Sequence, residues 1–168
     1  MNATDRRRRE QIKKGCMANW CRNEVRISGR ENRVREFLEF AKSENGESLF
    51  DFNRFVPRPP QRRRMDRMYS GWTDAWYGDN WGATSNACDA RYDEMTERDG
   101  ECTASVLFET AWSQPWRVVL MASQLFPDLQ LELFYFEPHG DFTGRFRCEG
   151  GMVTFRESGP CEHTILET

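Results

Sequence analysis

The sequence has no apolar run near the roughly 18 residues that a membrane-spanning helix needs. Its basic first residues are not followed by the apolar stretch of a secretory signal. The expectation is a cytoplasmic protein with no membrane partner. Cys-x-x-Cys pairs are absent too. Cys16, Cys21, Cys88, Cys102, Cys148 and Cys161 are scattered, which fits neither the paired spacing of zinc ligands nor a small disulfide scaffold. In a cytosolic chain they are expected to be reduced thiols, largely in the core. Cys161 and His163 form the one close Cys/His couple, and no metal or cofactor is expected. There is no G-x-S-x-G, no H-E-x-x-H and no phosphate-cradling glycine loop, so no catalytic residue is nominated and no enzyme is expected. A strand end does place Glu137, His139 and Asp141 at alternate positions, a spacing that sets a histidine between two carboxylates. A surface turn accounts for them equally well.

What is present is a chain of 168 residues, the size of one domain, with 38% hydrophobic, 30% charged and 13% aromatic residues. That aromatic share, together with the charge, points to a folded, soluble chain and not a disordered one. Net charge is −3 but unevenly spread. Residues 1–16 hold six basic residues (Arg6, Arg7, Arg8, Arg9, Lys13, Lys14) against Asp5 and Glu10, a net +4, which leaves −7 for the remainder. Residues 1–16 read as a basic mobile arm or as a stretch ahead of a start at Met17, and residues 17–168 as one acidic domain. Such a body repels nucleic-acid phosphate overall and attracts basic partners.

Hydrophobic periodicity organises that domain. From Trp20 to Ser28, Cys21, Asn23, Val25 and Ile27 alternate with Arg22, Glu24 and Arg26, the period of a half-buried strand. Ser28-Gly29 ends it, with Ser28 or Asn32 as candidate caps for a helix over 31–43, where Val34, Phe37, Leu38 and Ala41 share a face. Residues 50–86 show no sustained period and read as an irregular insertion rich in Arg and Trp. Cys88, Ala90 and Tyr92 alternate with Asp89, Arg91 and Asp93. Asp99-Gly100 then turns the chain into a second strand through Ala104, Val106 and Phe108, which makes a hairpin. A helix over 115–125 follows, with Val118, Met121, Ala122 and Leu125 at core spacing, then a strand over 129–137. An extra hairpin over 142–156 turns at Gly150-Gly151. Without the insertion and that hairpin the order is βαββαβ. The expected fold class is therefore α+β: a ferredoxin-like antiparallel sheet with helices on one face.

Several short motifs occur in order along this frame. They are Met17-Ala18-Asn19-Trp20-Cys21 with Asn23 and Gly29, Asn80-Trp81-Gly82, Asn86-Ala87, Thr110-Ala111-Trp112-Ser113 with Pro115, Phe126-Pro127, and Glu137 with Gly140, Phe142 and Gly144. On these the chain, from about Met17 to about Gly144, resembles the YubB-like family of phage and plasmid proteins. The resemblance implies a ferredoxin-like domain from a mobile genetic element and does not imply a defined activity. The chain departs from the family pattern at Ala83-Thr84-Ser85, where a threonine, a lysine and a second tryptophan are frequent, and at Gln114, where a second proline is common.

The functional expectation is a non-enzymatic, protein-binding accessory factor of a phage or mobile element. Its partner would be a host protein or protein–nucleic acid complex, such as a CRISPR-Cas or restriction defence complex. Arg62, Arg63, Arg64, Arg67, Trp72, Trp76 and Tyr77 are the expected partner contacts, because tryptophan and arginine dominate interface hot spots. The alternative is direct nucleic-acid binding, with Arg6, Arg7, Arg8 and Arg9 and the arginines of the insertion on phosphates. Trp20, Trp81, Trp112 and Trp116 are expected to form a structural aromatic cluster, the last three converging at the ends of the central hairpin. The helix-free sheet face is expected to show Arg22, Arg26, Asp89, Asp93, Ser105 and Glu109, a mixed surface without the aromatic ribonucleoprotein pattern of RNA-binding sheets.

Overall fold

The computed structural model describes residues 18–59 and 70–160, with the side chains of residues 70–74 left out. The arm at 1–16 and the stretch at 60–69 lie outside the described residues. The chain forms an α+β architecture with a six-stranded, wholly antiparallel sheet and three α-helices among the described residues. In chain order the elements are β1 (Trp20–Arg30), α1 (Glu31–Ala41), a 3-10 turn (Phe52–Arg54), α2 (Ser70–Trp81), β2 (Cys88–Arg98) and β3 (Glu101–Ala111). They continue with α3 (Trp116–Leu125), β4 (Gln130–Glu137), β5 (Phe142–Glu149) and β6 (Met152–Pro160). The strands lie in the order β2-β3-β1-β4-β5-β6. None of the described helices is long and apolar enough to cross a membrane.

Strand alternation sets the core. Cys21, Val25 and Ile27 of β1 face the same side as Ala104, Val106 and Phe108 of β3, Leu131 and Leu133 of β4, and Phe146 and Cys148 of β5, and all are buried. Helix α1 covers them with Val34, Phe37, Leu38 and Ala41, as its spacing predicts. The insertion completes the layer. Phe50 stacks on Phe108 at 5.1 Å, Phe52 meets Trp81 edge-on at 5.4 Å, and Phe37 meets Phe126 at 5.1 Å. Each such pair adds about 0.5–1.5 kcal/mol beyond its buried area.

Several expectations are corrected. Residues 70–81 of the supposedly irregular insertion form helix α2. Gly71 and Gly78, poor helix formers, mask its aromatic stripe in the sequence. Helix α1 ends at Ala41, not at residue 43, and its N-cap is Arg30, with no side-chain cap from Ser28 or Asn32. The Glu31 amide is taken instead by the Gly100 carbonyl at 3.0 Å, so β1 runs on past Ser28-Gly29. In α3 the inward face is Val118, Val119, Ala122 and Ser123, while Met121 and Leu125 are 37% and 49% exposed. Rows at both i+3 and i+4 fit the apolar sequence, and contact with the sheet selects the Val119 row. Strand β6 extends to Pro160, beyond the expected residue 156. In β2, regular alternation is broken twice, by register shifts between Cys88 and Arg91 and between Tyr92 and Met95.

Polar pins hold the insertion to the sheet. Asn86 Oδ1 accepts the amides of Phe52 (2.9 Å) and Ala87 (2.8 Å), and its Nδ2 donates to Asp51 at 2.7 Å. The Ser113 hydroxyl donates to the Gly82 carbonyl at 2.6 Å, and the Ser85 hydroxyl accepts the Ala111 amide at 2.9 Å. Gly82 has φ +84°, and a Cβ there would lie 2.9 Å from Trp116 Cδ1, whereas Gly46 has φ +71° and open space around it. Gly46→Ala should therefore cost only the left-handed backbone term, about 1–2 kcal/mol, and Gly82→Ala measurably more. Urea unfolding of both variants checks this, and equal losses would refute the packing role.

Among the described cysteines, Cys21, Cys102 and Cys148 are buried free thiols and Cys88 is half-buried. Burial pushes the Cys21 thiol from its ordinary 9.0 up to about 12, and the Cys148 thiol up to about 11. The folded state therefore holds these protons more tightly than the unfolded chain. Their contribution to stability is full below about pH 9 and declines as pH rises toward 11–12. Native-state alkylation at pH 8, read by mass spectrometry, should modify Cys88 well before Cys21 or Cys148.

Candidate functional site

The nominated aromatic residues belong mostly to the core. Trp81 is 2% exposed, and its indole N–H donates to the Val56 carbonyl at 3.0 Å. Tyr77 stacks on Trp81 at 4.6 Å and Trp76 meets it edge-on at 5.6 Å, so both expected partner contacts are half-buried against the fold. The Arg58 guanidinium covers the Tyr77 ring at 5.2 Å. Trp72 lies within α2, with its side chain outside the described set. Arg62, Arg63, Arg64 and Arg67, and Arg6, Arg7, Arg8 and Arg9, also fall outside the described residues. The single aromatic cluster expected of Trp20, Trp81, Trp112 and Trp116 is not what forms. Trp81 packs on Phe52, and Trp116 packs on Phe146 at 6.3 Å, with Gly82 against Trp116. Trp20 is half-buried. Trp112, at φ +70° where β3 ends, is turned outward and 50% exposed.

The Glu137, His139 and Asp141 trio resolves into a turn. Glu137 is 1% exposed, and its carboxylate accepts the backbone amides of His139 (3.0 Å) and Gly140. A Cβ on Gly140 would collide with that carboxylate, and one on Gly144 with the Tyr135 hydroxyl. His139 Nδ1 lies 3.5 Å from Glu137 Oε1, with its side chain 71% exposed, and Asp141 sits at φ +53°. Glu137 thus works as the cap of the β4–β5 turn. A carboxylate whose two oxygens already accept from two main-chain amides has those acceptors occupied and is poorly placed as a general base.

Among the described residues, no helix covers the second face of the sheet. Register places Glu109, Arg22, Phe136 and Thr143 side by side across β3, β1, β4 and β5. The next row reads Arg91, Leu107, Glu24, Phe134, Arg145 and Glu157, and the one after it Ser105, Arg26, Glu132, Arg147 and Phe155. Arg22, Arg26, Ser105 and Glu109 stand where expected. Asp89 and Asp93 fall instead within the two irregular stretches of β2, where alternation fails, and Cys88 joins Arg91 on the open face. Phe134, Phe136 and Leu107, all half-buried, went unnoticed because the strongly apolar β4 reads as a strand buried on both faces.

This face is ordered by its own contacts. Arg26 bonds Glu24 at 2.7 Å, and Ser105 donates to the same carboxylate oxygen at 3.0 Å. Glu132, 8% exposed, receives Arg147 at 2.9 Å and also Arg145. Two guanidiniums lie over the Phe134 ring, Arg26 at 4.7 Å and Arg145 at 5.3 Å, and Arg145 also covers Phe155 at 5.3 Å. Partly exposed ion pairs stabilise by only about 0–1 kcal/mol each. Their main effect is to hold rings and guanidiniums in one arrangement. Between β2 and β5 the face carries a groove of about 560 Å³, lined by Arg22, Glu24, Arg91, Leu107, Phe134, Phe136 and Thr143 among others.

No protein-family model matches the chain, and no curated protein matches it. Among solved structures, it is similar to protein api92 from Yersinia pseudotuberculosis, whose family model is DUF1281. The TM-score is 0.56 at 11% sequence identity, over 86% of this chain and 98% of that one. At that identity the likeness shows a shared fold.

If Glu137 caps a turn, Glu137→Gln should destabilise by about 1–3 kcal/mol, because the amide nitrogen cannot accept from a main-chain N–H. His139→Ala should leave stability nearly unchanged. Thermal melts of the two variants check this, and the reverse order would refute it.

Proposed function

We propose that this protein is a non-catalytic binding factor that docks another protein on the open face of its sheet. It acts as an accessory protein of a phage or plasmid that blocks a host defence complex. The observation that carries the reading is the ordered Phe134–Arg26–Arg145 stack in the middle of a wide sheet face that no described helix covers. Aromatic residues and arginine are the types enriched at interface hot spots, and here they are pre-positioned, which lowers the ordering cost of binding. The resemblance to the YubB-like family supports the mobile-element origin. Its fold counterpart is the ferredoxin-like plan. The antiparallel order β2-β3-β1-β4 with α1 and α3 on one face is what two interleaved split βαβ units produce. The insertion then completes the helical layer, and the β5–β6 hairpin widens the sheet.

Direct nucleic-acid binding through Arg6–Arg9 and Arg62–Arg67 is the competing reading. Base stacking needs a bare ring face, and guanidiniums already lie over Phe134. Glu24, Glu109, Glu132 and Glu157 also repel a continuous run of phosphates.

Expression of the protein in cells with an active CRISPR or restriction system should raise phage plaque counts. Phe134→Ala/Phe136→Ala should lower that effect at least tenfold while the melting temperature shifts by only a few degrees. The reading fails if wild type protects phage against no system tested, or if the double variant is as active as wild type.

A further inference from the structure

The guanidiniums in the middle rows of this sheet face are not equivalent. Arg26 is engaged by Glu24, and Arg145 and Arg147 share Glu132. Arg22 and Arg91 have no hydrogen-bond or ion-pair partner among the described residues, and both line the 560 Å³ groove. They stand on either side of β3, two strands and one row apart, which is about 12 Å by strand and residue spacing. Between and beside them Leu107 and Phe136 give the groove an apolar floor.

Arg91 reaches this face through an irregularity. The register shift after Cys88 brings Cys88 and Arg91, three residues apart, onto the same side of β2, with Asp89 at φ +53° inside the shift. A non-glycine residue in that region costs about 1–2 kcal/mol. Such bulges commonly re-aim a side chain beside a binding site. The strained Asp89 and an arginine without an ion-pair partner among the described residues coincide at the groove.

We propose that this groove takes an extended acidic segment of the protein partner. One carboxylate pairs with Arg22 and another, two residues on and so on the same side of the extended chain, with Arg91, while their methylene stems pack on Leu107 and Phe136. Acidic residues two apart in an extended chain share one side and span about 7 Å, and the reach of the two arginine side chains bridges the remainder of the separation. Arginine pairs with carboxylates in a forked, two-bond geometry. Glu24 and Glu109 in the groove limit the anion to discrete charges, and the rest of the body is acidic, so a polyanion with phosphates at every step is disfavoured.

The proposal rests on the docking reading above and is tested separately. Amide spectra of the 15N-labelled full-length protein are recorded with an acetylated Gly-Glu-Phe-Glu-Gly peptide, with Gly-Lys-Phe-Lys-Gly and with oligo-dT. The acidic peptide should shift resonances of Arg22, Arg91, Leu107, Phe136 and Thr143. Binding should weaken at least tenfold in Arg22→Glu and in Arg91→Glu, several-fold in the milder Arg22→Gln, and on raising salt. Three results overturn it: no shifts at these residues, equal binding of the lysine peptide, or tighter binding of oligo-dT at the same residues. If plaque counts respond to Phe134→Ala/Phe136→Ala while the acidic peptide does not bind, the docking reading survives and the acidic-segment assignment falls. Binding of the acidic peptide by a protein without effect on plaques supports the groove and removes the defence target.

Discussion

The side chain of Asn86 joins two stretches of chain that would otherwise be independent: the aromatic turn that begins at Asp51 and Phe52, and the entry to β2. A buried amide donor or acceptor left unpaired costs about 1–3 kcal/mol. These bonds therefore fix where the loop sits as well as adding to its stability. With the loop fixed, Phe50, Phe52 and Phe55 fill the gap between α1 and the sheet, and Trp81 closes the end of the core with its indole on Val56. The helical layer then covers one face of the sheet, and no described helix lies on the other.

The same logic explains why the ordered motifs speak to architecture more than to activity. Asn23 donates to Thr110 at 2.8 Å, Thr110 donates to the Ser113 carbonyl at 2.7 Å, and the Ser113 hydroxyl reaches Gly82. Glu137 and Gly140 shape one turn, and Gly144 makes room for Tyr135. Each of these side chains is a pin or a clearance inside the fold. A sequence can retain all of them while its exposed faces change with its partners.

Much of the frame was legible in the sequence. Period-two runs marked β1 and β3, the Val34–Phe37–Leu38–Ala41 stripe marked α1, and Asp99-Gly100 and Gly150-Gly151 marked turns whose residues do adopt positive φ. Helix α2 was hidden because its two glycines read as punctuation. On α3, Val118 and Ala122 face inward as their spacing predicts, whereas Met121 and Leu125 have the right chemistry for a core and packing alone excludes them. The open face was harder still. Whether Phe134 and Phe136 point into the core or away from it depends on the register of β4 with β1, and an unbroken apolar strand carries no mark of which side is which.

Beyond aiming Arg91, the broken alternation of β2 has a second effect. β2 is an outer strand of the sheet, and a straight outer strand offers its free amides and carbonyls as a template on which another chain can grow. Two register shifts within eleven residues interrupt that row of groups and twist it away from a flat partner. The irregularity that exposes one arginine thus also guards this border of the sheet against strand addition, so the protein can present an uncovered sheet face without inviting fibrous self-association from that side.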